Sequence, residues 1–362
     1  MRWRFAILLA ASLMTSAKVS MADPFTLQTF RVLLGSDLGT LEAFLVRPSE
    51  PGRYPLVVLA HGSPRSAADR PAMTPLAMLP EAMEFASRGW AAAVVMRRGY
   101  GNSDGGWAET YGSCDNPNYV TAGAAGAADL KLALEFLSHR QDIDPMRLMA
   151  VGVSAGGFAT VALTVDPPPG LVAAISFAGG RGSLEADKDC RSDKLVEAFR
   201  TFGQRSRVPM LWVYAANDHF FGPALAQQLA DAFKSGGGKL DFVAASSFGS
   251  DGHGLFSPSG IPVWTGYVDT FLKKQNLVLR ADPIPVPRPP LTPPSALSAN
   301  GRKAFESYLI SGPHKAFAVS PDGAFGWKTG MRTAEAASAA ALKFCQQNAA
   351  HCDVMFVDDA AR

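Results

Sequence analysis

Short apolar runs separated by longer helical or polar stretches divide most of the chain. Residues 54–60 (YPLVVLA), 90–96 (WAAAVVM), 147–153 (RLMAVGV), 171–177 (LVAAISF), 209–215 (PMLWVYA) and 240–245 (LDFVAA) are nearly continuous in apolar side chains, the pattern of strands covered on both faces. Ahead of them, TLQTFRVLL and TLEAFLVRP suit two strands paired antiparallel at a sheet edge. Between the runs, residues 124–139 place Ala127, Leu130, Leu134 and Leu137 at three- and four-residue steps, and 223–233 do similarly, predicting helices. Strand alternating with helix predicts an α/β unit on a largely parallel sheet. From Arg280 to Ala299 the periodicity stops and prolines accumulate, which predicts a semi-rigid polyproline II spacer. The expected organisation is therefore a signal peptide at 1–22, an α/β domain at 23–279, a linker at 280–299 and a small α+β domain at 300–362.

The leader reading rests on Arg2 and Arg4, an apolar run from Phe5 to Met14 and the small residues Ser20 and Ala22. That run is about half the ~20 residues a helix needs to cross a bilayer, so cleavage after Ala22, with Ala17 as the alternative, is expected rather than anchoring. The 48% hydrophobic and 18% charged composition is that of a globular chain. Removing the three basic residues of the leader leaves the two signs nearly balanced, which argues against nucleic acid or an anionic membrane as partner. The four cysteines, Cys114, Cys190, Cys345 and Cys352, are an even count without C-x-x-C spacing. They favour two disulfides in a periplasmic or secreted protein over a metal site.

Two stretches spell G-x-S-x-G. Gly152, Ser154 and Gly156 follow an apolar strand and precede the small-residue helix AGGFATVAL; Gly101, Ser103 and Gly105 sit in a polar, glycine-rich loop. Only the first has the strand–turn–helix context in which the turn projects a nucleophilic hydroxyl at the carboxyl end of a strand. Ser154 is therefore the candidate nucleophile and Ser103 a loop residue near the site. An acid and a base should follow in that order, each after a strand. Asp218 in AANDHFFG and His253 in SDGHGLF occupy those places, with Asp251 as the rival acid. His253 would act as general base, and Asp218 would orient it. The loop LAHGSPR can offer the Ser63 N–H, and the Ala155 N–H would be a second oxyanion donor; His61 reads as a structural turn residue.

Taken together, HGSPR, RRGYGNSDGG, GVSAGG, NDHF and DGHG, in this order and spacing, resemble the α/β-hydrolase superfamily. Exported dienelactone-hydrolase-like and acyl-peptidase-like serine hydrolases are the nearest in pattern, over Phe25 to Lys274. The resemblance implies an eight-stranded, mostly parallel sheet with helices on both faces, the triad Ser154, Asp218 and His253, and no cofactor or metal. It also places the RRGYG loop beside the active site, making Arg97, Arg98 and Tyr100 candidate pocket residues; pairing of the arginines with buried acids is the alternative. Dienelactone hydrolases carry cysteine at the position of Ser154, so dienelactone itself is not the expected substrate. Two inserted segments, 107–120 and 181–204, each carry one cysteine, and Cys114 is expected to join Cys190 as a tie between lid segments. The C-terminal unit resembles a small cysteine-containing module of exported bacterial proteins. It is expected to have a hairpin at Pro321–Gly323, a helix, a strand and a Cys345–Cys352 bridge, with stabilisation or binding of an unknown partner as its role. The function expected is an exported hydrolase that cleaves a carboxylic ester through an acyl-enzyme. A serine peptidase of prolyl-oligopeptidase type, acting on a short peptide, and a non-catalytic binding protein are the alternatives.

Overall fold

The computed structural model describes residues 23–33 and 39–362; the expected leader lies outside them. Eight strands form the main sheet. They are β1 (Phe25–Leu33), β2 (Thr40–Pro48), β3 (Tyr54–Ala60), β4 (Ala91–Val95), β5 (Ile143–Val153), β6 (Leu171–Phe177) and, after the short antiparallel pair β7 (Ser183–Glu185) and β8 (Lys188–Asp189), β9 (Met210–Ala215) and β10 (Leu240–Ala245). Their order is β1-β2-β4-β3-β5-β6-β9-β10. Antiparallel pairing joins β1 to β2 and β2 to β4, and every later neighbour pair is parallel. The apolar runs thus become the strands that their pattern predicts. The exception is β5, which starts four residues ahead of its apolar run; its polar first turn pairs only with β3, through Tyr54 and Ile143, before a register shift.

Alternation along each strand builds two cores. Leu56, Val58 and Ala60 of β3 point to one face, where they meet α2 (Tyr119–Ser138), α3 (Ala155–Leu163), α4 (Ser192–Arg205) and α5 (Pro223–Ser235); Val57 and Leu59 point to the other, against α1 (Leu79–Ser87) and α6 (Ile261–Lys274). A strand buried on both sides has no polar face to tolerate, which explains the continuous apolar runs.

The C-terminal residues form a second, antiparallel sheet of β11 (Ala316–Val319), β12 (Phe325–Lys328), β13 (Asp353–Val357) and β14 (Ala360–Ala361), in the order β12-β11-β13-β14. Phe317 and Val319 of β11 join Phe305 and Tyr308 of α7 (Ala299–Ile310), whereas Ala316 and Ala318 meet Ala337 and Ala341 of α8 (Ala334–Cys345). Cys345 is bonded to Cys352, and Cys114 to Cys190.

The proline-rich segment departs from the spacer expected of it. Ile284 donates its N–H to the Ser87 carbonyl at 2.8 Å, and Ile284 and Val286 pack against the core behind α1 and α6. Its few apolar side chains, set between prolines that hold them extended, give it a surface to lie on. The C-terminal unit is docked as well: Arg332 makes a two-pronged ion pair with Glu42 of β2 at 2.6 and 3.0 Å, and Thr74 donates to the Gly330 carbonyl at 2.6 Å.

Candidate active site

The parallel strands bring their carboxyl ends to one edge: Ala60 pairs with Gly152, Gly152 with Ser176, Phe177 with Val213 and Ala215 with Ala245. The segments leaving β3, β5, β9 and β10 there carry Ser63, Ser154, Asp218 and His253.

Ser154 forms the turn between β5 and α3 and has φ 56°, ψ −124°, a conformation that costs a non-glycine residue roughly 1–3 kcal/mol. Its neighbours hold it there. The Ser154 N–H donates to the Phe177 carbonyl at 2.9 Å, and its carbonyl accepts from Phe158 and Gly180. The flanking glycines are required by close approach. A Cβ at Gly152 would lie 2.3 Å from the Gly156 oxygen, and one at Gly156 would lie 2.2 Å from the Ala60 oxygen.

Asp218 is 2% exposed. One of its oxygens accepts the N–H groups of Phe220 and Phe221 at 2.7 and 2.9 Å, and both lie 3.1 Å from His253 Nδ1. Two backbone donors and one imidazole thus fix the carboxylate. Asp251 serves the backbone instead. Its side chain accepts the N–H groups of His253 and His219 and shapes the turn under the imidazole, which it does not touch. The His253 ring stacks on Phe220 at 3.8 Å. Among the described residues the Ser154 hydroxyl makes no hydrogen bond, to His253 or to any other group.

Ser63, Ala155 and Ser154 border one cavity of about 200 Å³. Gly62 lies against Ser154, with its would-be Cβ 3.2 Å from the serine Cβ. Neither the Ser63 nor the Ala155 N–H meets a protein acceptor among the described residues, so both are free to donate into the cavity. His61 holds this segment from behind: Arg97 N–H donates to its Nε2 at 3.1 Å, leaving Nδ1–H for the Gly62 carbonyl at 2.6 Å. Burial, then the adjacent Arg97 charge, keeps the His61 pKa well below the usual imidazole range.

The RRGYG residues stand behind the cavity wall rather than in it. Arg97 is fully buried, paired with Glu109 and donating to the His61 carbonyl at 2.7 Å; Arg98 pairs with Asp129 at 2.7 Å. The arginines therefore satisfy buried carboxylates, and their expected place in the pocket is corrected accordingly. The Tyr100 hydroxyl lies 3.0 Å from the Ser63 hydroxyl and 3.1 Å from Glu109, so it steadies the oxyanion segment. Ser103 likewise serves the backbone, donating to the Met96 carbonyl and accepting from Glu42 N–H. The cavity wall instead carries Arg65, Arg70 and Arg181, with Trp107, Tyr111 and Phe220. Arg181 shares Glu109 with Arg97, and burial brings its pKa down to about 10. Sequence reading singled out none of these; the available signal was the position of Arg65 and Arg70 just beyond Ser63.

Sheet order, helix layers and the strained turn after β5 define the fold of the α/β-hydrolases. Residues 39–204, somewhat less than half of the chain, match the family model described as X-Pro dipeptidyl-peptidase (S15 family). Poly(3-hydroxyalkanoate) depolymerase C of Paucimonas lemoignei is 27% identical over 158 residues, covering 40% of this chain and 33% of that protein. The chain thus spans about a third of the length of the curated relative it matches. A solved Bacteroides ovatus structure that carries the provisional name dipeptidyl aminopeptidase IV superposes with a TM-score of 0.52 at 14% identity, over 69% of this chain and 36% of that one. Thermogutta terrifontis esterase 2 phosphorylated by paraoxon gives 0.50 at 16% identity, over 70% and 96%. The structural likenesses carry the fold alone; the relatives found are hydrolases of ester or peptide bonds by name.

Proposed function

We propose that the chain is a serine hydrolase that cleaves a carboxylic ester. Ser154 Oγ attacks the acyl carbon while His253 takes its proton, and Asp218 stabilises the imidazolium that forms. The oxyanion receives the Ser63 and Ala155 N–H groups, each worth roughly 3–4 kcal/mol in the transition state. Collapse breaks the C–O bond, and the alcohol leaves with the proton from His253. Water, deprotonated by the same imidazole, then attacks the acyl-enzyme and releases the acid with Ser154 restored. The single observation that carries this reading is the convergence of a strained Ser154 with two unpaired N–H groups at one cavity. The cavity is smaller than the ~300–1,000 Å³ common for ligand clefts, which favours a compact acyl or alcohol group.

The family-model match supports a second reading, a serine peptidase. A dipeptidyl-peptidase must receive a free ammonium terminus, which calls for a carboxylate in the pocket. No Asp or Glu borders this cavity among the described residues, and three arginines do, so the ester reading is preferred. Export is part of the proposal: two disulfides suit an oxidising compartment, and no helix among the described residues is long and apolar enough to cross a membrane.

A fluorophosphonate probe tests the chemistry directly. The chain should be labelled once and Ser154→Ala not at all; equal labelling of the two would end the proposal.

A further inference from the structure

The cavity in front of Ser154 has more positive charge than its protein partners balance. Of its three arginines only Arg181 meets a carboxylate, and that carboxylate, Glu109, is shared with Arg97. Arg65 and Arg70 have no carboxylate within ion-pair distance among the described residues. Arg65 donates to the Ser183 hydroxyl at 2.9 Å and to the His219 carbonyl at 3.4 Å. Arg70 is half-buried, its Nε is shielded from solvent without a partner, and no guanidinium nitrogen of it donates to a protein acceptor among the described residues. A buried donor left without a partner is destabilising, more so when charged, so the arrangement is explained if a ligand completes it.

The two side chains are also held in place. The Arg70 guanidinium lies 3.6 Å over the Trp107 ring, and that of Arg65 lies 3.6 Å over the Phe220 ring. Stacking fixes the guanidinium plane and leaves its in-plane N–H groups to project from the edge, the geometry that receives a carboxylate in two-pronged fashion. Both arginines come from the segment that carries the Ser63 N–H, Arg65 two residues on and Arg70 within the short 3-10 helix Ala67–Ala72. Asp189, on β8, feels the Arg65 charge without pairing to it; burial, then the charge of Asp218, pushes its carboxyl up to about 6.

We propose that the substrate carries a carboxylate in addition to its scissile ester, and that Arg65 and Arg70 bind it beside Ser154. The class is a short dicarboxylic half-ester, or an ester of a hydroxy acid with a free carboxyl end. This rests on the serine-hydrolase reading for the position of the bond cleaved, and on the arginines alone for the anion.

Two matched pairs test it by ethanol or acetate release: monoethyl glutarate against ethyl 4-carbamoylbutanoate, and 4-acetoxybutanoate against 4-acetoxybutanamide. In at least one pair the carboxylate should lead by tenfold or more in kcat/KM. Arg70→Gln and the more exposed Arg65→Gln should each lower that ratio at least fivefold, and high salt should shrink it. Equal turnover within both pairs, or a ratio kept in both variants, overturns the anion site and leaves the hydrolase reading intact. If no ester is cleaved, calorimetry with glutarate decides. Binding to Ser154→Ala that disappears in Ser154→Ala/Arg70→Gln keeps the site and overturns only the hydrolase reading; no binding overturns the site too.

Discussion

Asp218 shows how completely a single side chain can be committed. Its carboxylate accepts two backbone N–H groups and faces one imidazole nitrogen, so its roles in folding and in orienting His253 cannot be separated by removing it outright. Asparagine keeps the shape and one acceptor. On the proposed mechanism Asp218→Asn lowers kcat by about 10⁴-fold, the size of the same change in the best-studied triad, while the circular dichroism spectrum is kept. Near-normal turnover would move the orienting role elsewhere. The candidate triad and oxyanion donors were legible because each sits at the end of a strand that its apolar run announces, and because Gly152 and Gly156 leave a pattern that only close backbone approach explains. Arg65, Arg70 and Glu109 were not legible. Charged residues in loops look alike in sequence, and only folding shows which arginine meets Glu109 and which meets none.

Among the elements, the segments over the cavity depend most on a covalent tie. Residues 107–118 have almost no regular structure, and β7 and β8 are two very short strands. Cys114–Cys190 links them across a sequence separation of 76. Loop closure of that size corresponds to about 4 kcal/mol of destabilisation of the unfolded chain. The double variant Cys114→Ser/Cys190→Ser should therefore unfold at distinctly lower urea, and an unchanged midpoint would show that the tie restrains nothing. Element identities were readable from the continuous apolar runs of the strands and the 3.6-residue period of the helices. The early start of β5 was hidden, since Asp144, Pro145 and Arg147 interrupt its apolar run.

At the level of the whole molecule, one buried acid sets a pH limit. Glu81 of α1 is 3% exposed, and burial pushes its carboxyl up to about 8 while one of its oxygens lacks a partner. Between about pH 4.5 and 8 the folded chain holds a proton that the unfolded chain has released, so this contribution is present at low pH and lost as pH rises through 8. Glu81→Gln should raise the melting temperature at pH 8.5, by a stabilisation on the order of a few kcal/mol, with the difference fading toward pH 5. Equal melting at both ends would show that the carboxyl is solvated.

The Arg332–Glu42 pair has a mechanical meaning. Glu42 also accepts the Asn102 N–H and offers its own N–H to Ser103, and the same loop carries Tyr100, which braces Ser63. Through Glu42 the C-terminal unit is therefore tied to the loop behind the cavity. Ending the chain at its proline-rich belt would take Arg332 away from Glu42, a partner of the loop whose Tyr100 braces Ser63, more than 200 residues upstream of the belt.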